Sequence, residues 1–329
     1  MKRILVTGAS GFIGRHLIAK LRSEGCLIRT LVHSRTSENS GSPPLETVRG
    51  DVRDAGVMKK VTQDVDTIFH LAGKVHEVSE IQNHQADYFA VNVEGTRNLL
   101  EGALAGGVER FIFFSSVKAM GEETSGCYDE TEPPQPVTPY GKSKREAEKL
   151  VLDYGRKSPM HVACLRLPLV YGIENKGNIV RMIASIDRGL FPPLPVLDNH
   201  RSMVSVEDVV SAALLVARNP SARGQCYIVT DGKNYSTTEL YREILQVLGK
   251  QAPRWKVPLG LLRFLARAGD LIEGLIRRRF VFDSDSLGKL TASAWYSCDK
   301  ITREVHYSPS VTFKDSLPGL VEWYKGKAA

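Results

Sequence analysis

At 329 residues, 42% hydrophobic and 25% charged, the chain has the composition of a folded globular protein, with length for one large domain or two modest ones, and this excludes extended disorder. Its net charge of +7 comes from lysines and arginines spread along the sequence, Arg277-Arg278-Arg279 apart, with no nucleic-acid reader motif among them. That pattern suits a small anionic ligand such as a nucleotide diphosphate and argues against nucleic acid as partner.

In chain order, a short apolar run over residues 4–6 follows Met1-Lys2-Arg3 and stops at Thr7-Gly8, too soon for a signal-peptide core. A helix is expected over 12–24, a strand over 27–32, then the polar loop SRTSENSGSPP. Residues 47–48 lead into Gly50-Asp51, followed by a helix over 55–62, an apolar run over 67–71 and a long helical segment from about 84 to 105. A strand over 110–115, a helix over 139–154 and a strand over 162–167 come next. Strands alternating with helices make crossover units and a parallel sheet, and strands this apolar are buried on both faces. Beyond Tyr171 the pattern loosens. GIENKGN and FPPLPVLDNHR read as loops, 206–218 as a helix, 226–229 as another strand, 237 to about 276 as helix-rich, and LVEWYKGKAA as a short fraying helix. No stretch reaches the ~18 apolar residues of a spanning helix, so a cytoplasmic protein is expected. The five cysteines are scattered, with no CxxC; the expectation is reduced thiols and no metal site.

Three glycines, Gly8, Gly11 and Gly14, separate the first strand from the first helix. An apolar strand, glycines and a helix form the context of a dinucleotide fingerprint, here spaced GxxGxxG. Gly8 permits a tight turn, Gly11 lets backbone approach a pyrophosphate, and Gly14 lets the helix pack closely on the sheet. Pyrophosphate then meets free N–H groups at the helix N-terminus.

Together with FIFFSS (111–116) and PYGKSK (139–144), TGASGFIG (7–14) resembles the extended short-chain dehydrogenase/reductase family of NAD-dependent epimerase/dehydratase type. Asp51-Val52, His70-Leu71-Ala72-Gly73, Asn92-Val93-Glu94-Gly95-Thr96 and LRLPLVYG (165–172) match as well. The resemblance runs from residue 1 to about 232 and more loosely to the end. It implies a Rossmann-type doubly wound parallel sheet over 1–171 and 203–232, with a smaller, mostly helical substrate portion from 172–202 and 233–329.

The chemistry of Tyr140 and Lys144 is readable from their spacing. Four apart on a helix, they share a face. A tyrosine hydroxyl with pKa ~10 is a poor base at neutral pH. A nearby ammonium and a positive nicotinamide ring would both lower that value. Tyr140 could then take a proton from a substrate alcohol as hydride leaves the same carbon, while Ser116 hydrogen-bonds the oxygen. The resemblance adds further roles. It puts Lys144 also on the nicotinamide ribose, and Gly8, Ser10, Gly11, Phe12, Ile13 and Gly14 around the phosphates. Asp51 and Val52 fall at the adenine end, and Leu71, Ala72, Gly73 and Ser115 along the cofactor. Leu167 and Val170 lie at the nicotinamide, with Asn92 behind the site. At the end of the second strand LVHSR (31–35) has no acid; a hydroxyl and the Arg35 guanidinium suit a 2′-phosphate, which favours NADP as the NAD(P) cofactor.

On the substrate side, KGN (176–178) and NHRSMVSVEDVV (199–210) are similar to nucleotide-sugar epimerases and reductases of the family. Asn178 and Arg201 are the implied diphosphate ligands, and Lys74, Val117 and Lys118 face the implied sugar pocket. Val117-Lys118 stands where the family's dehydratases carry Asp-Glu, which disfavours 4,6-dehydration. LTASAWYSCDKITREVHYSP (290–309) and PLGLLRFLARAGDLIEGLIRRRF (258–280) also resemble the hydroxysteroid dehydrogenase-like branch. The second of these either faces the core and covers a substrate pocket, or lies on a membrane or grips a lipid-linked sugar. The implied reaction is 4-epimerisation of a UDP-glucose or UDP-N-acetylhexosamine type of substrate through a transient 4-keto sugar. A nucleotide-4-ketosugar reductase and a 3β-hydroxysteroid-dehydrogenase-like oxidoreductase are the alternatives, and a non-catalytic cofactor sensor is a third. A homodimer through residues 88–105 and 142–154 is expected from the family.

Overall fold

The computed structural model describes residues 3–33, 45–75, 85–175, 177–253, 255–276 and 283–328. Nine strands are described: β1 (Arg3–Thr7), β2 (Leu27–Val32), β3 (Leu45–Arg49), β4 (Thr67–His70), β5 (Arg110–Ser116), β6 (His161–Leu167), β7 (Leu169–Tyr171), β8 (Met203–Ser205) and β9 (Gln225–Ile228). The first-half helices are α1 (Phe12–Ser23), α2 (Ala55–Val61), α3 (Gln85–Phe89), α4 (Gly95–Ala105) and α5 (Pro139–Lys157). The rest are α6 (Asn178–Asp187), α7 (Val206–Arg218), α8 (Thr237–Leu248), α9 (Leu259–Ile276), α10 (Ser284–Thr291), α11 (Asp299–Val305) and α12 (Phe313–Ala328).

Seven strands form one parallel sheet in the order β3-β2-β1-β4-β5-β6-β9. Strand alternation sorts its side chains into two cores. Ile4, Val6, Ile112 and Phe114 face Leu17, Leu21, Val209 and Val216 of α1 and α7. Leu5, Phe111, Phe113 and Val162 face Met58, Leu99, Leu100, Ala147 and Val151 of α2, α4 and α5. The doubly wound architecture expected from the sequence is the one observed. Chain direction across the sheet reverses between β1 and β4, so a crevice opens beyond the carboxyl ends of those strands, where ligands of such sheets bind. The carboxyl ends of β5 and β6 lie beside it, Ser116 paired in register with Leu167.

A third core holds α6, α8 and α12 together through Ile183, Leu240, Ile244, Phe313 and Leu317. Four local readings differ from the sequence expectation. The long helix over 84–105 contains a π-helical turn at Ala90–Glu94, which sends Asn92 inward; such turns cluster at functional sites. The loop-like stretch after Gly172 ends in α6, whose Ile179, Ile183 and Ile186 recur at helical spacing on the buried face. The helix-rich stretch from 237 divides at Gly249, left-handed at φ 71°. The tail is a 16-residue helix despite Pro318 inside it, because Leu317, Leu320 and Val321 are buried.

Candidate active site

The glycine turn after β1 is built by close approach. Gly8 has φ 70°, and a Cβ there would lie 2.7 Å from the backbone nitrogen of Ala72. A Cβ on Gly14 would lie 2.4 Å from the carbonyl oxygen of Gly8, so α1 sits against the turn only because both residues lack side chains. Gly11 is the N-cap of α1; no side chain caps it and the first turn carries no acid. The first N–H groups of the helix are therefore left for an anion. A cradle that any Cβ would fill, under an uncapped helix, fits a dinucleotide pyrophosphate. Ser10 is exposed at its rim, while Phe12 and Ile13 are half-buried.

A fully assigned hydrogen-bond chain fixes the far wall. The Thr96 hydroxyl donates to the Asn92 carbonyl at 2.7 Å, so His70 Nε2 donates to Thr96 Oγ1 at 2.9 Å. His70 Nδ1 then accepts from Thr7 Oγ1 at 2.7 Å, and Thr7 Oγ1 accepts from the N–H of Ala72 at 3.1 Å. Burial pushes the His70 pKa down to about 3, with the Lys144 charge acting in the same direction, and the ring stays neutral. This chain ties β1 to the Leu71-Ala72-Gly73 segment. The HLAG motif is visible in the sequence; its bonding partners, 63 and 26 residues away, are not.

Ser116, Tyr140 and Lys144 converge at the carboxyl end of β5. Thr138 caps α5, its hydroxyl accepting from Gly141 N–H at 3.1 Å, and Tyr140 falls in the first turn. Part of the Tyr140 ring is open to solvent, while desolvation around its hydroxyl pushes the pKa up to about 12 against the lowering effect of a hydrogen bond with Ser116. Lys144 is buried. Desolvation lowers its pKa to about 8, partly countered by Glu148, and Nζ donates to the Phe114 carbonyl at 2.8 Å. Here the structure corrects the sequence reading of the phenol. Within the protein alone burial dominates, and Lys144 is not among the groups that lower the Tyr140 pKa. Asn92 closes the site from behind: Oδ1 accepts from Lys74 N–H at 2.7 Å, and Nδ2 donates to Lys74 O and to Ser143 Oγ. A Cβ on Gly73 would lie 3.0 Å from Asn92 Oδ1 and 3.4 Å from Lys144 Nζ, so these three residues meet.

Under this layer lies an ion pair not expected from the sequence. Glu148 is fully buried and accepts from Arg166 Nε at 3.0 Å, Arg166 Nη2 at 2.9 Å, Arg145 Nη1 at 3.1 Å and Ser115 Oγ at 2.7 Å. Ser115 thus points to Glu148 rather than into the crevice. The spacing of Arg145 and Glu148, three apart on α5, signals one arm of this cluster; the Arg166 arm has no local signal.

At the other end of the crevice Asp51 follows β3. Forked hydrogen bonds from Arg53 hold its pKa down at about 2, and His33 Nε2 at the end of β2 lies 3.1 Å from Oδ2. Asn98 fastens this turn by donating to the carbonyls of Val52 and Arg53. Val52 is buried, and a Cβ on Gly95 would lie 2.6 Å from its Cγ2. Arg35 lies outside the described residues. Leu71 and Ala72 are half-buried beside the glycine turn, Leu167 is buried at the end of β6, and Val170 pairs with Val204.

The expected substrate residues are spread more widely. Val117 is buried, Lys118 ion-pairs with Glu122, and Lys74 Nζ lies 3.1 Å from Asp87. Asn178 is exposed at the start of α6, whose N-cap, Gly177, gives no side-chain cap. Arg201 exchanges backbone hydrogen bonds with Tyr235 and sits beside Ala294. The segment around Ala294 also bonds to Thr124 and Tyr128 of the loop leading to Tyr140, which links Arg201 to the crevice. The Arg201 guanidinium is largely desolvated, which lowers its pKa, and no carboxylate lies within ion-pair distance among the described residues.

Residues 4–229 match the NAD dependent epimerase/dehydratase family. The chain belongs to that family. As a member it is an NAD-dependent enzyme of extended short-chain dehydrogenase/reductase type. It is 32% identical over 265 residues to a UDP-glucose 4-epimerase of Vibrio cholerae, covering 78% of this chain and 79% of that protein. It is 27% identical over 341 residues to a 3 beta-hydroxysteroid dehydrogenase/Delta 5-->4-isomerase of Mycobacterium tuberculosis, covering 98% and 90%. Among solved structures, a double mutant of DesIV, a dTDP-glucose 4,6-dehydratase from Streptomyces venezuelae with NAD bound, superposes with a TM-score of 0.78 at 26% identity, covering 98% of this chain and 97% of that one. This epimerase/dehydratase family member carries Val117-Lys118 directly after Ser116, and Lys118 ion-pairs with Glu122.

Proposed function

We propose that the chain is a nucleotide-sugar 4-epimerase acting on UDP-glucose or a UDP-N-acetylhexosamine through a transient 4-keto sugar. The observation that carries this reading is Arg201, a half-buried guanidinium with no carboxylate at ion-pair distance among the described residues, joined through the 293–297 segment to the loop before Tyr140. A partly desolvated cation of this kind is stabilised where an anion meets it, and a nucleoside diphosphate supplies one with the fork geometry arginine prefers. The identity shared with a UDP-glucose 4-epimerase over most of both chains supports the same assignment.

The glycine turn, the Leu71–Gly73 backbone and Lys144 would hold a dinucleotide, which would supply reversible hydride acceptance beside the sugar. Ser116 holds the C4 oxygen of the sugar. Tyr140 removes the C4 hydroxyl proton as the ketone forms and returns it once the sugar has presented its other face. Lys144, buried with Nζ donating to the Phe114 carbonyl, would meet the ribose hydroxyls of the bound dinucleotide. The hydroxyl of Ser34, the guanidinium of Arg35 and the absence of an acid in residues 31–35 support acceptance of a 2′-phosphate, hence NADP.

Purified protein with its bound cofactor, given UDP-glucose or UDP-N-acetylglucosamine and no added dinucleotide, will accumulate the C4 epimer. Tyr140→Phe will retain the dinucleotide and lose turnover. Turnover only with stoichiometric NADPH and a 4-keto sugar would replace this reading with a reductase. The hydroxysteroid reading draws on the 98% coverage shared with the mycobacterial dehydrogenase, and steroid oxidation that does not depend on Arg201 would establish it instead.

A further inference from the structure

We infer that α9 is an interfacial helix that docks this protein on the surface of an anionic lipid bilayer. Successive helical residues lie about 100° apart, so α9 divides into three arcs. Leu262 and Ala266 form the first; they are buried against Leu194, Leu197 and Leu287 on the substrate side of the molecule. Leu261, Phe264, Leu265 and Leu271 form the second, at spacings of three, one and six, and they are 49%, 68%, 46% and 72% exposed. Arg263, Arg267 and Asp270 occupy the third, all exposed; the arginines make no ion pair among the described residues, and the Asp270 carboxylate accepts from Ser284. The apolar side of the helix is thus about twice as wide as the part the fold covers. Just before the helix, Trp255 is 64% exposed, and exposed Lys256 follows it.

An apolar arc bordered by arginines, with an indole at one end, is the arrangement of a helix lying in the plane of a membrane surface. Charge selects the occupant. Lys256, Arg263 and Arg267 outnumber Asp270 along the exposed face, and the sequence continues from the helix into Arg277-Arg278-Arg279. A second copy of the chain would bring the same arginines to meet them, whereas acidic headgroups neutralise them. No helix among the described residues is long and apolar enough to cross a membrane, so the contact is one of lying on the surface. It stands apart from the proposed reaction, because none of the crevice residues named above lies on α9.

The test is co-sedimentation of the full chain with vesicles of phosphatidylcholine alone or mixed with phosphatidylglycerol, at low and high salt. The wild type will pellet with the mixed vesicles, less so at high salt and little with phosphatidylcholine alone. The double variants Phe264→Glu/Leu271→Glu and Arg263→Glu/Arg267→Glu will each lower binding on the order of tenfold or more while keeping the dinucleotide. As a measurement on unaltered helix residues, tryptophan emission will shift to the blue on adding mixed vesicles, and Trp255→Phe will remove most of that shift. Wild type that stays in the supernatant with both vesicle types overturns the inference, as does undiminished binding by both variants. A concentration-dependent dimer that Phe264→Glu/Leu271→Glu dissociates, without vesicle binding, overturns it in favour of a second copy. None of these readouts uses turnover, so failure of the epimerase assignment leaves them unaffected.

Discussion

Replacing Lys144 by methionine tests the electrostatics of the crevice directly. Lys144 is 4% exposed, and its pKa falls from 10.5 to about 8 in the folded protein. A lysine whose folded pKa is depressed destabilises the fold at low pH, where both states are charged and only the folded one is desolvated. Between about pH 8 and 10.5 the unfolded chain holds more protons, so stability climbs; above 10.5 the penalty is gone. At about 1.36 kcal/mol per pH unit, that window is worth about 3 kcal/mol. The unfolding free energy of the wild type, measured by urea titration, will therefore rise relative to Lys144→Met by about 3 kcal/mol between pH 7.5 and 10.5. The other titrating groups are shared by both proteins, so they cancel in the difference. A difference that stays flat across the window would refute the claim that burial acts on this amine.

Three other substitutions test separate parts of the site. Glu148→Ala leaves Arg166 buried without its counter-charge and will destabilise the protein by about 3–5 kcal/mol in denaturant melts, far more than an exposed pair would. Gly14→Ala puts a Cβ 2.4 Å from the Gly8 carbonyl, so α1 must retreat from the turn; fluorescence titration will show dinucleotide affinity reduced on the order of tenfold or more. Arg201→Ala removes a charge-assisted contact worth about 1.5–3 kcal/mol, which will raise KM for a UDP-sugar on the order of tenfold to a hundredfold with little change in kcat.

The parts of this protein legible in its sequence are those set by neighbours a few residues apart. The glycine turn is one, because each glycine answers a contact within the turn or with the strand beside it. Tyr140 and Lys144 are another, because a spacing of four places them on one helical face whatever surrounds them. The sheet was legible too, since a strand buried on both faces announces itself by composition. The rest depends on contacts between distant segments. Glu148 reads as one more acid on a charged helix until β6 brings Arg166 beneath it. The π-helical turn that sends Asn92 inward has no signature in AVNVE. The Tyr140 pKa shows the same limit on the chemistry itself. Spacing alone suggests an acidic phenol, yet the folded protein raises it to about 12, because the crevice removes water from the hydroxyl while the Lys144 amine bonds to Phe114. The base is thus kept protonated by the protein alone. In the proposed reaction the additional positive charge needed to ionise it would come with an oxidised cofactor, which would confine deprotonation of Tyr140 to the loaded site.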